Sequence, residues 1–124
     1  MATFTKLALQ PTAGTTGTGL GIKVAATSGT GTAIHTASTT VTTIDEVWLY
    51  AVNTSSSSVK LTLQFGGTTA VDNDIELTVL PEAGLVTIVP GLVLQGNATA
   101  KVVRAFAATA DVVVIYGFVN RIAV

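Results

Sequence analysis

The sequence has no cysteine, one histidine, one tryptophan and three prolines in 124 residues. Without cysteine there is no disulfide framework and no thiolate metal site, and the redox compartment is left open. Charge is scarce too. Six Lys and Arg stand against seven Asp and Glu, 10% of the chain, where a globular domain carries about 25%. A net charge of −1 gives no basic footprint for nucleic acid. No apolar run approaches the ~20 residues of a membrane-spanning helix. The longest, VVVIYGFV from Val112 to Val119, is interrupted by Gly117. The first residues, MATFTKLALQPTAG, lack a basic start followed by an apolar core, so no export signal is read and no membrane partner is expected.

What remains is apolar, small and β-branched. Hydrophobic residues make up 48% of the chain, and Thr, Val, Ala and Gly dominate, which favours strands and turns. A chain this apolar and this poor in charge has little with which to cover a water-facing surface. It is expected to keep much of its outside against partners.

The order of the chain divides it in two. Residues 1–43, with PTAGTTGTGLG and TSGTGTA, are rich in Thr, Gly, Ala and Ser and nearly free of aromatics. They are predicted to form an extended N-terminal arm with short strands at Ile22–Ala26 and Ala33–Thr36, lying on the same subunit's sheet or on a neighbour. Residues 44–124 alternate apolar and polar positions between turn signals such as PEAG, Pro90-Gly91 and Gly96-Asn97. About eight short strands with no helical period predict an all-β, antiparallel β-sandwich of jelly-roll type. Ser55–Ser58 is read as the loop of a hairpin joining Val47–Asn53 to Val59–Phe65.

Candidate chemistry is sparse. His35, in AIHTAS, has no motif around it that supplies a nucleophile or further metal ligands, and reads as a structural or interface histidine. VDND, at Asp72 and Asp74, suits a turn better than a calcium loop. Nothing pairs Asp45, Glu46, Glu82 or Asp111 as acid and base, and an exposed strand-end role is expected for them. Gly17, Gly19 and Gly21 precede a strand-like IKVAA rather than a helix, unlike a phosphate loop. Lys101, Arg104 and Arg121 are candidates for interface ion pairs. No catalytic, cofactor-binding or metal-binding residue is expected, no cofactor, and no enzyme activity.

Two strands are apolar on both faces. Trp48, Tyr50 and Val52 oppose Val47, Leu49 and Ala51, while Val112, Val114, Tyr116 and Phe118 oppose Val113, Ile115 and Val119. One face fills the sandwich, and the other needs a second cover. The first four-residue set together with Trp48, Tyr50 and Val52 is the expected oligomer interface. The alternative is that the chain's own N-terminal arm covers Trp48 and Tyr50.

The succession GTAIHTAS, DEVWLYAVN, VKLTLQFGG, LVTIVPGLVLQGN and KVVRAFAATADVVVIYGFVNRI, from about Ala33 to Ile122, resembles small all-β virion proteins of tailed bacteriophages. The resemblance implies a structural protein of the virion, made in the cytoplasm of the bacterial host. It points to a homotrimeric capsid decoration (cement) protein that binds the assembled shell and stabilises it. Its partners would be further copies of itself and the major capsid protein or another virion protein. A tail- or fibre-associated β-sandwich that binds a receptor or carbohydrate is the alternative it leaves.

Overall fold

Period-two alternation places Asp45, Val47, Leu49, Ala51 and Asn53 on one side of a strand and Glu46, Trp48, Tyr50 and Val52 on the other. In the computed structural model, which describes residues 1–124, that segment lies at the centre of the fold. The chain forms nine strands and no helix: β1 (Thr3–Ala8), β2 (Ile22–Lys23), β3 (Thr32–Thr36), β4 (Ile44–Asn53), β5 (Val59–Phe65), β6 (Asp74–Val79), β7 (Val86–Gln95), β8 (Val102–Ala107) and β9 (Val113–Ala123). They build two antiparallel sheets packed face to face. The first runs β1–β9–β4–β7, with β2 pairing β9 further along, and the second runs β3–β8–β5–β6.

The pairs β1/β2 with β9, β3 with β8, β4 with β7 and β5 with β6 nest inside one another. The chain is one long hairpin rolled into two layers, which is the jelly-roll order. Nineteen buried apolar residues form a single core between the layers, so there is one domain. Val47, Leu49 and Ala51 of β4 and Val59, Leu61 and Leu63 of β5 all belong to that core.

Two expectations change. Ser55–Ser58 does not close a hairpin, because β4 pairs with β7 and β9 while β5 belongs to the other sheet. β4 is apolar on both faces and takes the centre of its sheet, so neither of its edges is left for β5. The serines carry the chain across the sandwich instead. Residues 1–43, expected as an arm with little core of its own, are woven into both sheets. Val24 and Ile34 are fully buried. Backbone bonds tie the segment at several points: Thr36 N–H to Gln10 O (2.7 Å), Val24 N–H to Val113 O (2.9 Å) and Ala107 N–H to Ala26 O (3.0 Å). The loop before β3 also covers the outer side of β5. There Gln64 accepts from Gly31 N–H and donates to Gly29 O, both at 2.8 Å.

Gly117 sets the distance between the two central strands. It faces Leu49 across the β4–β9 ladder, and a Cβ at this position would lie 2.2 Å from the Trp48 carbonyl oxygen. Backbone there cannot swing away like a long side chain. Gly117→Ala is therefore expected to lower stability by about 1–3 kcal/mol. Urea unfolding checks this: the midpoint should fall with an unchanged slope, and an unaltered midpoint would mean the strands separate freely.

Candidate functional site

The inward stripe of β4 is polar at both ends and apolar between. A carboxylate facing a core must be neutralised and hydrogen-bonded, and the fold brings two partners to Asp45. Arg121 stands opposite it on the β4–β9 ladder. It donates from Nε to Oδ1 at 2.7 Å and from Nη2 to Oδ2 at 2.8 Å, a bidentate pair. His35 comes from the other sheet. A bulge between Ala33 and His35 breaks the β3–β8 register and turns His35 inward. Its Nε2 lies 2.8 Å from Asp45 Oδ2.

The tautomer follows from the second ring nitrogen. The backbone N–H of Gln10 donates to His35 Nδ1 at 3.1 Å. Nδ1 is thus an acceptor, and the proton resides on Nε2, which donates to Asp45. His35 is 0% exposed, Asp45 1% and the Arg121 side chain 24%. Burial pushes the Asp45 carboxyl up. Hydrogen bonds from Arg121 and His35, together with the charge of Arg121, outweigh burial and hold it below the ordinary carboxylate value. The same hydrogen bond raises Arg121.

In a hydrolytic triad the second imidazole nitrogen faces a nucleophile. Here it holds the backbone of the β1–β2 connection. The trio ties β3, β4, β9 and that connection together at one end of the sandwich. Asn53 does the same at the other end of β4. Its Nδ2 donates to Ser57 O (2.8 Å) and to Val79 O of the opposite sheet (2.9 Å). Its Oδ1 accepts from Ser55 N–H (2.9 Å) and Ser55 Oγ (2.8 Å). Asn53 begins a glycosylation sequon but is buried within these bonds.

The outward side of the same strands carries the residues marked in the sequence. Trp48, Tyr50 and Val52 of β4 lie beside Phe118, Tyr116 and Val114 of β9, row by row. Val112 is not among them: it precedes β9 and packs against the core. The Trp48 and Phe118 rings stack at 6.0 Å with their planes 8° apart, and Lys6 Nζ sits 4.7 Å over the Phe118 ring. Gly91, at φ 85° in a bulge of β7, leaves room for the indole on its other side. Trp48 Nε1 donates to Glu46 Oε1 at 2.7 Å and Asn120 Nδ2 to the same oxygen at 3.0 Å. These two bonds hold the Glu46 carboxyl below its ordinary value. The N-terminal segment lies against this face at two points, with Gly17 by the Ala8 methyl and Gly21 by Val114 and Tyr116. Tyr116 remains 41% exposed.

The remaining candidates fall elsewhere. Asn73 Oδ1 accepts from Thr69 N–H (3.1 Å) and Asp74 Oδ2 from Val71 N–H (3.4 Å), so VDND shapes the β5–β6 turn. No three His, Asp or Glu side chains converge on a point that could hold a metal. Arg104 donates to Gly31 O rather than joining Arg121. Asp45, expected exposed at a strand end, is buried at 1% exposure. The trio it forms was missed as a unit, although Asp45 shares its parity with Val47, Leu49 and Ala51 and so had to face inward. Comparison of the chain with family models, with characterised proteins and with solved structures finds no match.

Removing Arg121 leaves a buried carboxylate with one partner, so Arg121→Met is expected to cost about 3–5 kcal/mol. The acid limb supplies a second check. Because the native Asp45 carboxyl is depressed, its contribution is present above the unfolded value, about 3.9, and lost as pH falls through the native one. Urea midpoints of wild type and Asp45→Asn should converge below about pH 4. A constant gap down to the lowest pH would show that Asp45 is not held ionised.

Proposed function

We propose that the protein is a structural component of a tailed-bacteriophage virion. It acts as a capsid decoration protein that settles on the assembled shell and reinforces it. The resemblance along Ala33–Ile122 supplies the class. The observation that carries the reading further is the outward face of β4 and β9. This face is apolar at the middle of a sheet and only half-buried in the single chain, with Tyr116 41% exposed, on a protein with little charge.

The interior supports the same role. Of its buried polar groups, His35, Asp45 and Asn53 join the two sheets, with both nitrogens of the sole histidine engaged. Such a sandwich resists shear between its layers, which suits a part held in a lattice. The shell contact falls to the exposed Thr/Gly-rich connection between β1 and β2, where Leu20 is 74% exposed. The self-contact falls to the sheet face. Neither nucleic acid nor membrane is a partner in this account.

Gold-labelled antibody against the protein, applied to particles produced from a genome carrying its gene, tests the assignment. Label is expected over the head, and particles lacking the protein should release DNA at a lower temperature. Label confined to the tail or fibres would favour a receptor-binding sandwich, and absence from the particle would overturn the reading.

A further inference from the structure

We propose that the outer face of the β1–β9–β4–β7 sheet docks against the same face of a second copy, about a two-fold axis running along β9. The inference does not depend on where the protein is placed in a particle. It comes from the register across the face. One row holds Phe4, Ile122 and Ile44, the next Lys6, Asn120 and Glu46, and the third Ala8, Phe118 and Trp48.

A two-fold axis along β9 keeps each row and exchanges the strands on either side of it. β1 of one copy then lies over β4 of its partner, and the rows complement one another. Lys6 meets Glu46, and Phe4, 76% exposed in the single chain, meets Ile44. Each contact occurs twice, as an isologous interface requires. The charged partners are free to meet. Glu46 takes both of its bonds at Oε1, leaving Oε2 without a partner, and Lys6 has only the Phe118 ring beneath it.

Three strands overlap, β1, β9 and β4, because β7 lies beyond the partner's β1. About 4.8 Å apart and over eight residue steps of about 3.3 Å, they give a footprint of roughly 380 Å² before side-chain relief. Small specific interfaces bury about 600 Å² a side, so the contact is a weak one. A flat glycan is a poorer occupant, because the indole is wedged between the Phe118 ring and Gly91 and has no broad free face to offer a sugar. The resemblance to decoration proteins implies three copies. The rows on this face fit two.

Sedimentation of the full chain over a concentration series tests the proposal, with circular dichroism confirming that each variant is folded. Wild type is expected as a dimer of 12.6 kDa chains. Lys6→Glu and Glu46→Lys each place like charges together twice, and each should weaken the dimer by on the order of 10- to 100-fold. Mixed in equal amounts, the two variants should restore it, since every contact in the heterodimer then joins opposite charges. Phe4→Ala, which removes the apolar contact with Ile44 without altering charge, should also weaken the dimer. A monomeric or trimeric wild type, a mixture that fails to recover, or a dimer indifferent to Phe4→Ala would each overturn the arrangement.

Discussion

A carboxylate on the core side of a central strand is the constraint from which the architecture follows. Asp45 shares the inward parity of Val47, Leu49 and Ala51, so β4 cannot pack until that charge is matched. Arg121 matches it within the sheet and fixes the β4–β9 register. His35 matches it from the other sheet and fixes the position of β3 above β4. The histidine passes the constraint on through Gln10, which places the connection leaving β1. Four segments separated widely in sequence are located by one side chain. Hydrophobic burial provides the larger driving force, but it is non-directional. The trio gives it an address.

The opposite face inherits its order from the same strand. Once the inward residues of β4 and β9 are fixed, their outward neighbours are fixed as well, because the side-chain period is two. Glu46, Trp48, Asn120 and Phe118 therefore stand in defined rows, and the hydrogen bond from the indole to Glu46 locks their orientation. In the proposed docking, a face ordered this way beforehand would lose little side-chain entropy. Stability and the proposed recognition are thus two sides of two strands.

Much of this was legible in the sequence. Alternation gave the strands, turn residues gave their boundaries, and the split of Val113, Ile115 and Val119 from Val114, Tyr116 and Phe118 is the one found in β9. Pairing partners were harder. The Ser55–Ser58 link has the length and composition of a hairpin loop. What makes it an arch is the demand of β4 for two strand neighbours and the bond that Asn53 sends across to Val79. Val112 obeys the parity of its neighbours but lies before the strand begins, where parity no longer decides direction. The bulge that turns His35 inward has no local signal at all, since Ile34 and His35 are both buried although adjacent.

The state of the His35 ring tests the organising role of Asp45 most directly. Nitrogen-15 NMR of the imidazole distinguishes a protonated ring nitrogen from an accepting one. At neutral pH the expected result is a single tautomer, with the proton on Nε2 exchanging slowly with solvent and Nδ1 unprotonated. Asp45→Asn should disturb that signal together with the amide of Gln10. A ring protonated on Nδ1, or one that averages between tautomers, would contradict the account, because neither could hold Asp45 and Gln10 at once.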